Sequence, residues 1–260
     1  MVLKIVKELF EYREMIYSLV RQDLRGRYKG SVLGFFWTFL NPLLQLIVYT
    51  FVFSAIMRQD IEDFYLFLFV AFIPWLFFSS SVAGGARAVM NRKDLVKKIY
   101  FPRQVLPIAF VTSNFVNMLL SFVIVFLALL VSGRGIAWEK LGFLIPIMAV
   151  EYLFSLGITM ITSALTVFFR DLEYILGIVT MAWMYITPIM YPETIVPERY
   201  QVLFNMNPIT PIIRSYRTVL YYREAPELTD LGISLLLSII FLIIGNVIFE
   251  KAQKKFAEEL

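Results

Sequence analysis

Long uncharged apolar runs alternate along this chain with short charged segments, and the alternation predicts an all-α architecture built on membrane-crossing helices. Six runs stand out: Ser31 to Met57, Phe64 to Ala86, Gln104 to Gly133, Leu141 to Phe169 (interrupted only by Glu151), Tyr174 to Tyr191, and Leu231 to Phe249. Each reaches the roughly 18 to 20 residues a helix needs to cross about 30 Å of hydrocarbon. Ahead of them, within residues 1–29, Ile5, Leu9, Tyr12, Ile16 and Leu19 recur at steps of three or four with charges on the other faces. That period predicts an amphipathic helix lying in the membrane interface.

Two stretches break the pattern. Residues 192–230, with Pro192, Pro197, Pro208, Pro211 and Pro226, are too apolar for a solvated loop and too broken by proline to span. Short re-entrant helices whose irregular backbone is shielded by protein are expected there. The other is the basic segment Asn91 to Arg103 between the second and third runs. Read as a helix, it sets Leu95 beside Ile99 and Val96 beside Tyr100, with Lys93/Lys97 and Asp94/Lys98 as i,i+4 pairs. Such an element suits a docking surface; the alternative is a solvated loop that only sets orientation.

Composition agrees with the pattern. The 260 residues are 59% hydrophobic and 17% charged, and the mean hydropathy is +0.73, values of an integral membrane protein. Six spans put both termini on one side. Assigning the N-terminal arm, the basic segment with Arg87, the Arg170 turn and the tail to one face collects 17 of the 24 Lys and Arg. By the positive-inside rule that face, with both termini, is cytoplasmic. The net charge of +4 is then a topology signal, and no nucleic-acid partner is expected. Cysteine and histidine are absent, which removes thiol nucleophiles, Ser-His-Asp arrangements and the usual soft metal ligands, so no catalytic or metal residues are assigned. Charges at Lys4, Lys7, Glu8, Glu11, Arg13 and Glu14 argue against a cleavable signal peptide. No internal repeat divides the chain, and residues 1–260 are expected to form one transmembrane domain.

Four motifs, in register with the spans, carry a resemblance. Arg27-Tyr28-Lys29-Gly30-Ser31-Val32-Leu33-Gly34 leads to Trp37, Leu40 and Pro42; then come Leu95-Val96-Lys97-Lys98-Ile99-Tyr100-Phe101-Pro102, Phe169-Arg170-Asp171-Leu172, and Thr187-Pro188-Ile189-Met190-Tyr191-Pro192. Together they resemble the membrane subunit of type-2 ABC exporters for polysaccharides, the permeases of O-antigen, capsule and teichoic acid. The resemblance implies a homodimer in a cell (inner) membrane, joined to two copies of a cytoplasmic ATP-binding subunit and exporting a lipid-linked polysaccharide. The chain contains no G-x-x-x-x-G-K-[ST] phosphate loop, so it is expected to bind no cofactor and to act as a transport subunit, with ATP and Mg²⁺ held by the partner. By similarity, Lys93, Leu95, Val96, Lys97, Lys98, Ile99 and Tyr100 form the coupling element. Val96 and Tyr100 would fill a pocket of the partner while Lys97 and Lys98 meet acidic groups at its rim. Arg170 and Asp171 offer a second contact, or an ion pair that holds a short turn.

A sugar polymer needs polar partners for its hydroxyls and flat apolar faces for its rings. Trp37, Asn41, Gln45, Tyr49 and Phe53 form such a stripe on span one; Glu151, Ser155, Thr159, Thr162, Ser163 and Thr166 form another on span four. Hydroxyls inside spans also serve as hydrogen-bonding glue between helices, and the sequence leaves both readings open. A carboxylate near the centre of a span costs about 2.5 to 3.5 kcal/mol, so Glu151 is expected to face the subunit interior near the external segment. The rivals are a lipid or drug exporter of the same type, an ion-driven carrier, and a membrane-embedded sugar-phosphate transferase with a metal at Asp60-Ile61-Glu62-Asp63. The carrier lacks ionisable residues in its spans beyond Glu151, and the acidic turn lacks a base.

Overall fold

The computed structural model describes residues 10–27, 29–56 and 61–260. Ile5 and Leu9, Tyr28, Met57, and Arg58 to Asp60 therefore lie outside the described residues. All regular structure among the described residues is helical. An interface helix α1 (Arg13–Gly26) precedes a single 3-10 turn (Gly34–Phe36) and α2 (Trp37–Thr50). Next come α3 (Phe64–Ser79), the short α4 (Lys93–Lys98), α5 (Val105–Val131), α6 (Leu144–Phe168) and α7 (Leu172–Ile186). The external segment folds as α8 (Glu198–Met206) and α9 (Thr210–Arg217) before α10 (Leu228–Ala252) and a terminal turn of helix, α11 (Phe256–Glu259).

Five helical stretches are long and apolar enough to cross a bilayer: Gly34–Phe53, Phe64–Gly84, Val105–Val131, Trp138–Phe168 and Leu228–Glu259. These reproduce five of the six apolar runs. The run from Tyr174 to Tyr191 differs, because α7 has 15 residues and stops at Ile186. Thr187 is extended (φ −97°, ψ 132°), the conformation that the ring of Pro188 imposes on the residue before it.

Helix α3 is apolar on every side, and a helix of that kind belongs in the interior. Leu66, Leu68, Phe69, Val70, Ala71 and Phe78 expose no surface, and α2, α5 and α9 pack around them. The most extensive pairing is α6 with α10, and glycine makes it close. A Cβ added at Gly157 would lie 2.6 Å from the backbone nitrogen of Leu242, and one added at Gly245 would collide with the Gly157 carbonyl. Small residues at facing positions allow such backbone approach, where dispersion and polar contacts replace the hydrophobic effect. Ser238 Oγ donates across this seam to the Val150 carbonyl (3.0 Å).

The amphipathic face of α1 is seated on α5, with Leu19 and Val20 buried and Tyr12, Met15, Ile16 and Leu24 packed beside them. In the external segment, Ile209, Ile212, Ile213 and Tyr216 of α9 are buried. Helix α9 packs against α3, α6 and α10, whereas α8 meets α9.

Because the glycine seam leaves no room for a methyl group, Gly157→Ala is expected to cost about 1–3 kcal/mol through overpacking. A lowered Tm in detergent micelles is the measurement; an unchanged Tm would mean that α6 and α10 separate freely.

Candidate functional site

The basic segment forms a helix, but a shorter one than its period implies. Helix α4 has six residues and ends at Lys98; Ile99 is extended at φ −129°, ψ 139°, and Pro102 disfavours helix at Phe101. Val96 is 4% exposed and Phe101 5%, both inside the chain's own core, whereas Ile99 is 54% and Tyr100 95% exposed. The expectation that Val96 enters a partner's pocket is therefore corrected: Val96 and Phe101 anchor the segment inward, and Ile99 and Tyr100 point away. The helical pairing of Val96 with Tyr100 fails for the same reason, since Tyr100 lies beyond the helix end. Lys93, Lys97 and Lys98 are exposed and Leu95 is half-buried.

Three arginines tie this segment to the rest of the chain. Arg92 donates to Gln22 Oε1 (2.9 Å) and Asp23 Oδ1 (2.7 Å) of α1. Arg103 donates to the Gln253 carbonyl at the end of α10. Arg87 pairs with Glu173 in the first turn of α7. Arg170 and Asp171 are both exposed and form no ion pair with each other among the described residues; the pair at that turn is Arg87 with Glu173. The sequence offered no sign of these partners, which are 69 to 150 residues away for Arg92 and Arg103.

A polar groove opens beside this segment. One cavity of about 560 Å³ is lined by Gln22, Asp23, Arg27, Arg92 and Asn114. A second, of about 110 Å³, shares Arg27, Ser80 and Asn114 and continues between α2, α3 and α5 to Trp37, Asn41 and Asn117. Arg27 donates to Asn114 Oδ1. Two of the span-one residues thus line a polar recess. The others on that face are engaged differently: Gln45 Nε2 donates to Asn41 Oδ1 (3.0 Å), Tyr49 sits edge-on to Phe72 (5.2 Å) and Phe53 stacks on Phe64 (6.0 Å).

The span-four stripe is sealed. Glu151, Ser155, Thr159, Ser163 and Thr166 expose no surface and Thr162 only 6%. Thr159 Oγ1 donates to the Ser81 carbonyl (2.9 Å), Thr162 to Thr159 O (3.2 Å) and Thr166 to Thr162 O (2.7 Å). As path-lining candidates, Ser155, Thr159, Thr162 and Thr166 are corrected to packing positions. Periodicity reveals a shared face but not whether that face meets water or another helix. Glu151 does face the interior beside the external segment, where Tyr216 OH of α9 donates to its Oε2 (2.6 Å).

Helix α7 ends against the external helices. Trp183 Nε1 donates to Asn207 Oδ1 (2.8 Å), and Asn207 Nδ2 donates to Thr187 Oγ1 (3.0 Å). Arg217, 4% exposed, donates to the carbonyls of Pro188 (2.8 Å) and Ile189 (2.9 Å) and lies 3.7 Å from the centroid of the Phe67 ring. Burial pulls its guanidinium below the ordinary value, to about 10, so it remains charged at neutral pH. Arg214 is bracketed by Glu193 and Asp230 (2.7 and 2.8 Å); the hydrogen bond to Glu193 raises its pKa. Asp63 and Glu62, offered above as an acidic metal site, are instead ion-paired with Arg134 (2.5 and 2.8 Å).

An all-helical, multi-pass membrane protein with an exposed basic segment between two of its apolar helices and packed short helices ahead of its last has the build of a membrane transporter. The chain matches the ABC-2 type transporter family over residues 14–221 and belongs to it. It is 36% identical over 260 residues to the O-antigen export system permease protein RfbA of Myxococcus xanthus, covering 99% of this chain and 100% of the relative. The protein of the same name from Klebsiella pneumoniae is 33% identical over 95% of each chain. The polysialic acid transport protein KpsM of Escherichia coli is 24% identical over 94% of this chain and 96% of its own length.

Tyr216→Phe is expected to cost about 1–3 kcal/mol, because it strips the hydrogen bond from a buried carboxyl. Glu151→Gln keeps an acceptor for Tyr216 and is expected to cost less. Thermal unfolding of the two variants side by side decides whether this contact seats α9; equal, negligible shifts would remove it from that role.

Proposed function

We propose that this chain is the channel-forming membrane subunit of an ATP-driven exporter, moving a lipid-linked polysaccharide out of the cytoplasm across the cell (inner) membrane. The observation that carries this reading is similarity along the full chain to transporters named for two different polysaccharides, O-antigen and polysialic acid. The energy comes from a separate ATP-binding subunit, two copies per pair of permeases, which holds ATP and Mg²⁺. Its docking site is the outward surface of the basic segment: Tyr100 and Ile99 as apolar contacts, ringed by Lys93, Lys97 and Lys98, with Arg170 and Asp171 exposed nearby in the fold. Apolar anchors with a charged rim are how protein interfaces combine affinity with orientation.

In this reading the chain crosses six times, with both termini cytoplasmic. Helix α7 alone reaches about 22 Å, and the extended Thr187 lengthens it past its last turn by about 3.3 Å. Its first turn pairs with Arg87 beside the basic segment, and its last turn meets the external helices, so it joins the two faces. Because the span-four hydroxyls are sealed within one chain, the path belongs between two copies. The exposed faces of α2 (Leu44, Ile47, Phe51) and α7 (Ile178, Met181, Tyr185) supply the surfaces. Trp37 and Asn41 at the groove give a ring face and an amide suited to sugar recognition.

Reconstitution of the permease with its ATP-binding subunit in vesicles tests this reading. Polymer is expected to cross only with MgATP, and Tyr100→Ala combined with Lys97→Glu is expected to abolish transport while leaving a folded, inserted chain. Normal ATP-driven export by that double variant would remove the docking assignment.

A further inference from the structure

Helix α7 is held at its ends rather than along its length. Thr180 is its one buried residue, while Tyr174, Ile175, Ile178, Val179, Met181, Tyr185 and Ile186 are exposed. At the first turn Glu173 pairs with Arg87, five residues before the Arg92 that is fixed to α1 and six before α4 begins. At the last turn Trp183 and Thr187 are bound through Asn207, which sits where the chain breaks between α8 and α9 and also accepts from the Ile209 backbone N–H (3.2 Å). Between these ends α7 rests mainly on the turn Ser80–Gly84 that closes α3, with Trp183 edge-on to Phe78 (5.2 Å). Within one chain few side chains of α7 are packed between its ends, and both ends are polar contacts that hold a defined register.

We propose that α7 is a strut that carries displacement of the basic segment to the external helices, with Arg87, Glu173 and Asn207 as its positioning residues. The inference rests on the function proposed above, since the force enters from a docked ATP-binding subunit. A helix is stiff along its axis, whereas a loosely packed loop would absorb a push; a rod fixed by an ion pair at one end and an amide at the other transmits it. The asymmetry of packing supports the assignment: α6 and α10 are locked together by glycine contacts and cannot slide, leaving α7 as the mobile connection between the faces. Arg217 strengthens the outer joint by holding the Pro188 and Ile189 carbonyls.

The chain contains no cysteine, so one engineered thiol labels one position in each permease copy, read in a complex whose ATP-binding subunit is made free of cysteine. Val202→Cys on α8, 65% exposed, labelled with an environment-sensitive bimane fluorophore, is followed in the full complex in vesicles with and without MgATP. An ATP-dependent emission shift is expected in the otherwise unaltered chain. It should be lost in Arg87→Glu and in Asn207→Ala, and restored when Arg87→Glu is combined with Glu173→Arg. A merely stabilising role would lower the yield of complex without removing the shift from what assembles. Assembled Arg87→Glu or Asn207→Ala complexes that keep the shift, or a charge swap that fails to restore it, would overturn the strut. If Arg87→Glu does not assemble, Glu173→Gln, which removes the charge without reversing it, carries the same expectation. ATP-driven export with no shift in the unaltered chain overturns the strut and leaves the exporter standing; no ATP-driven export at all overturns both.

Discussion

In hydrocarbon there is no water to satisfy a free N–H or C=O, so each interruption of a helix must be met by a side chain from elsewhere. That constraint organises this protein. Where α7 gives way at Pro188, Arg217 crosses from α9 to bind two buried carbonyls that the helix no longer pairs. The turn that closes α3 presents the Ser81 carbonyl, and Thr159 of α6 donates to it. Tyr221 donates to the Glu62 carbonyl and Arg223 to that of Arg134; Arg103 reaches the carbonyl of Gln253. Each break thereby becomes a joint between two segments distant in sequence.

The joints fall into two groups of different stiffness. Around α3 and along the α6–α10 seam, backbones approach closely and the hydroxyls of Thr159 and Ser238 donate to carbonyls of neighbouring segments, which makes a rigid body. Glu151 belongs to that body and fixes α9 to it through Tyr216. Outside it lie α7 and the basic segment, tied to each other and to α1 by ion pairs of partly exposed groups. Such pairs contribute little stability, about 0–1 kcal/mol each, but they hold position and can be remade after movement. A transporter needs this division, because a uniformly packed bundle would have one state.

The basic segment shows how burial separates residues that a helical period groups together. Val96 and Phe101 are fastened inward, which gives the segment a fixed orientation, and this fastening is what lets Tyr100 stand out from the surface. An amphipathic pattern specifies that one side is buried; whether by its own chain or by a partner depends on neighbours that the pattern does not contain.

The sequence by itself determined the class and most of the boundaries. Apolar runs of spanning length, an amphipathic N-terminal helix, a proline-broken external segment and the excess of Lys and Arg on one face are properties of neighbouring residues, and they are legible because the bilayer demands length and polarity before it demands partners. The inward aim of Glu151 was legible too, since a lone carboxyl in a span has nowhere else to go. Only the tertiary structure decided which polar faces are sealed and which are open: the span-four stripe closed against α9 at Glu151 and the turn after α3 at Thr159, Trp37 and Asn41 opening into a groove. It alone supplied the long-range partners, Arg92 with Asp23, Arg87 with Glu173, Arg217 with Pro188 and Ile189. The physical reason is range: hydropathy and helical period act over a few residues, whereas a hydrogen bond between segments 28 to 150 residues apart exists only after packing has brought them together.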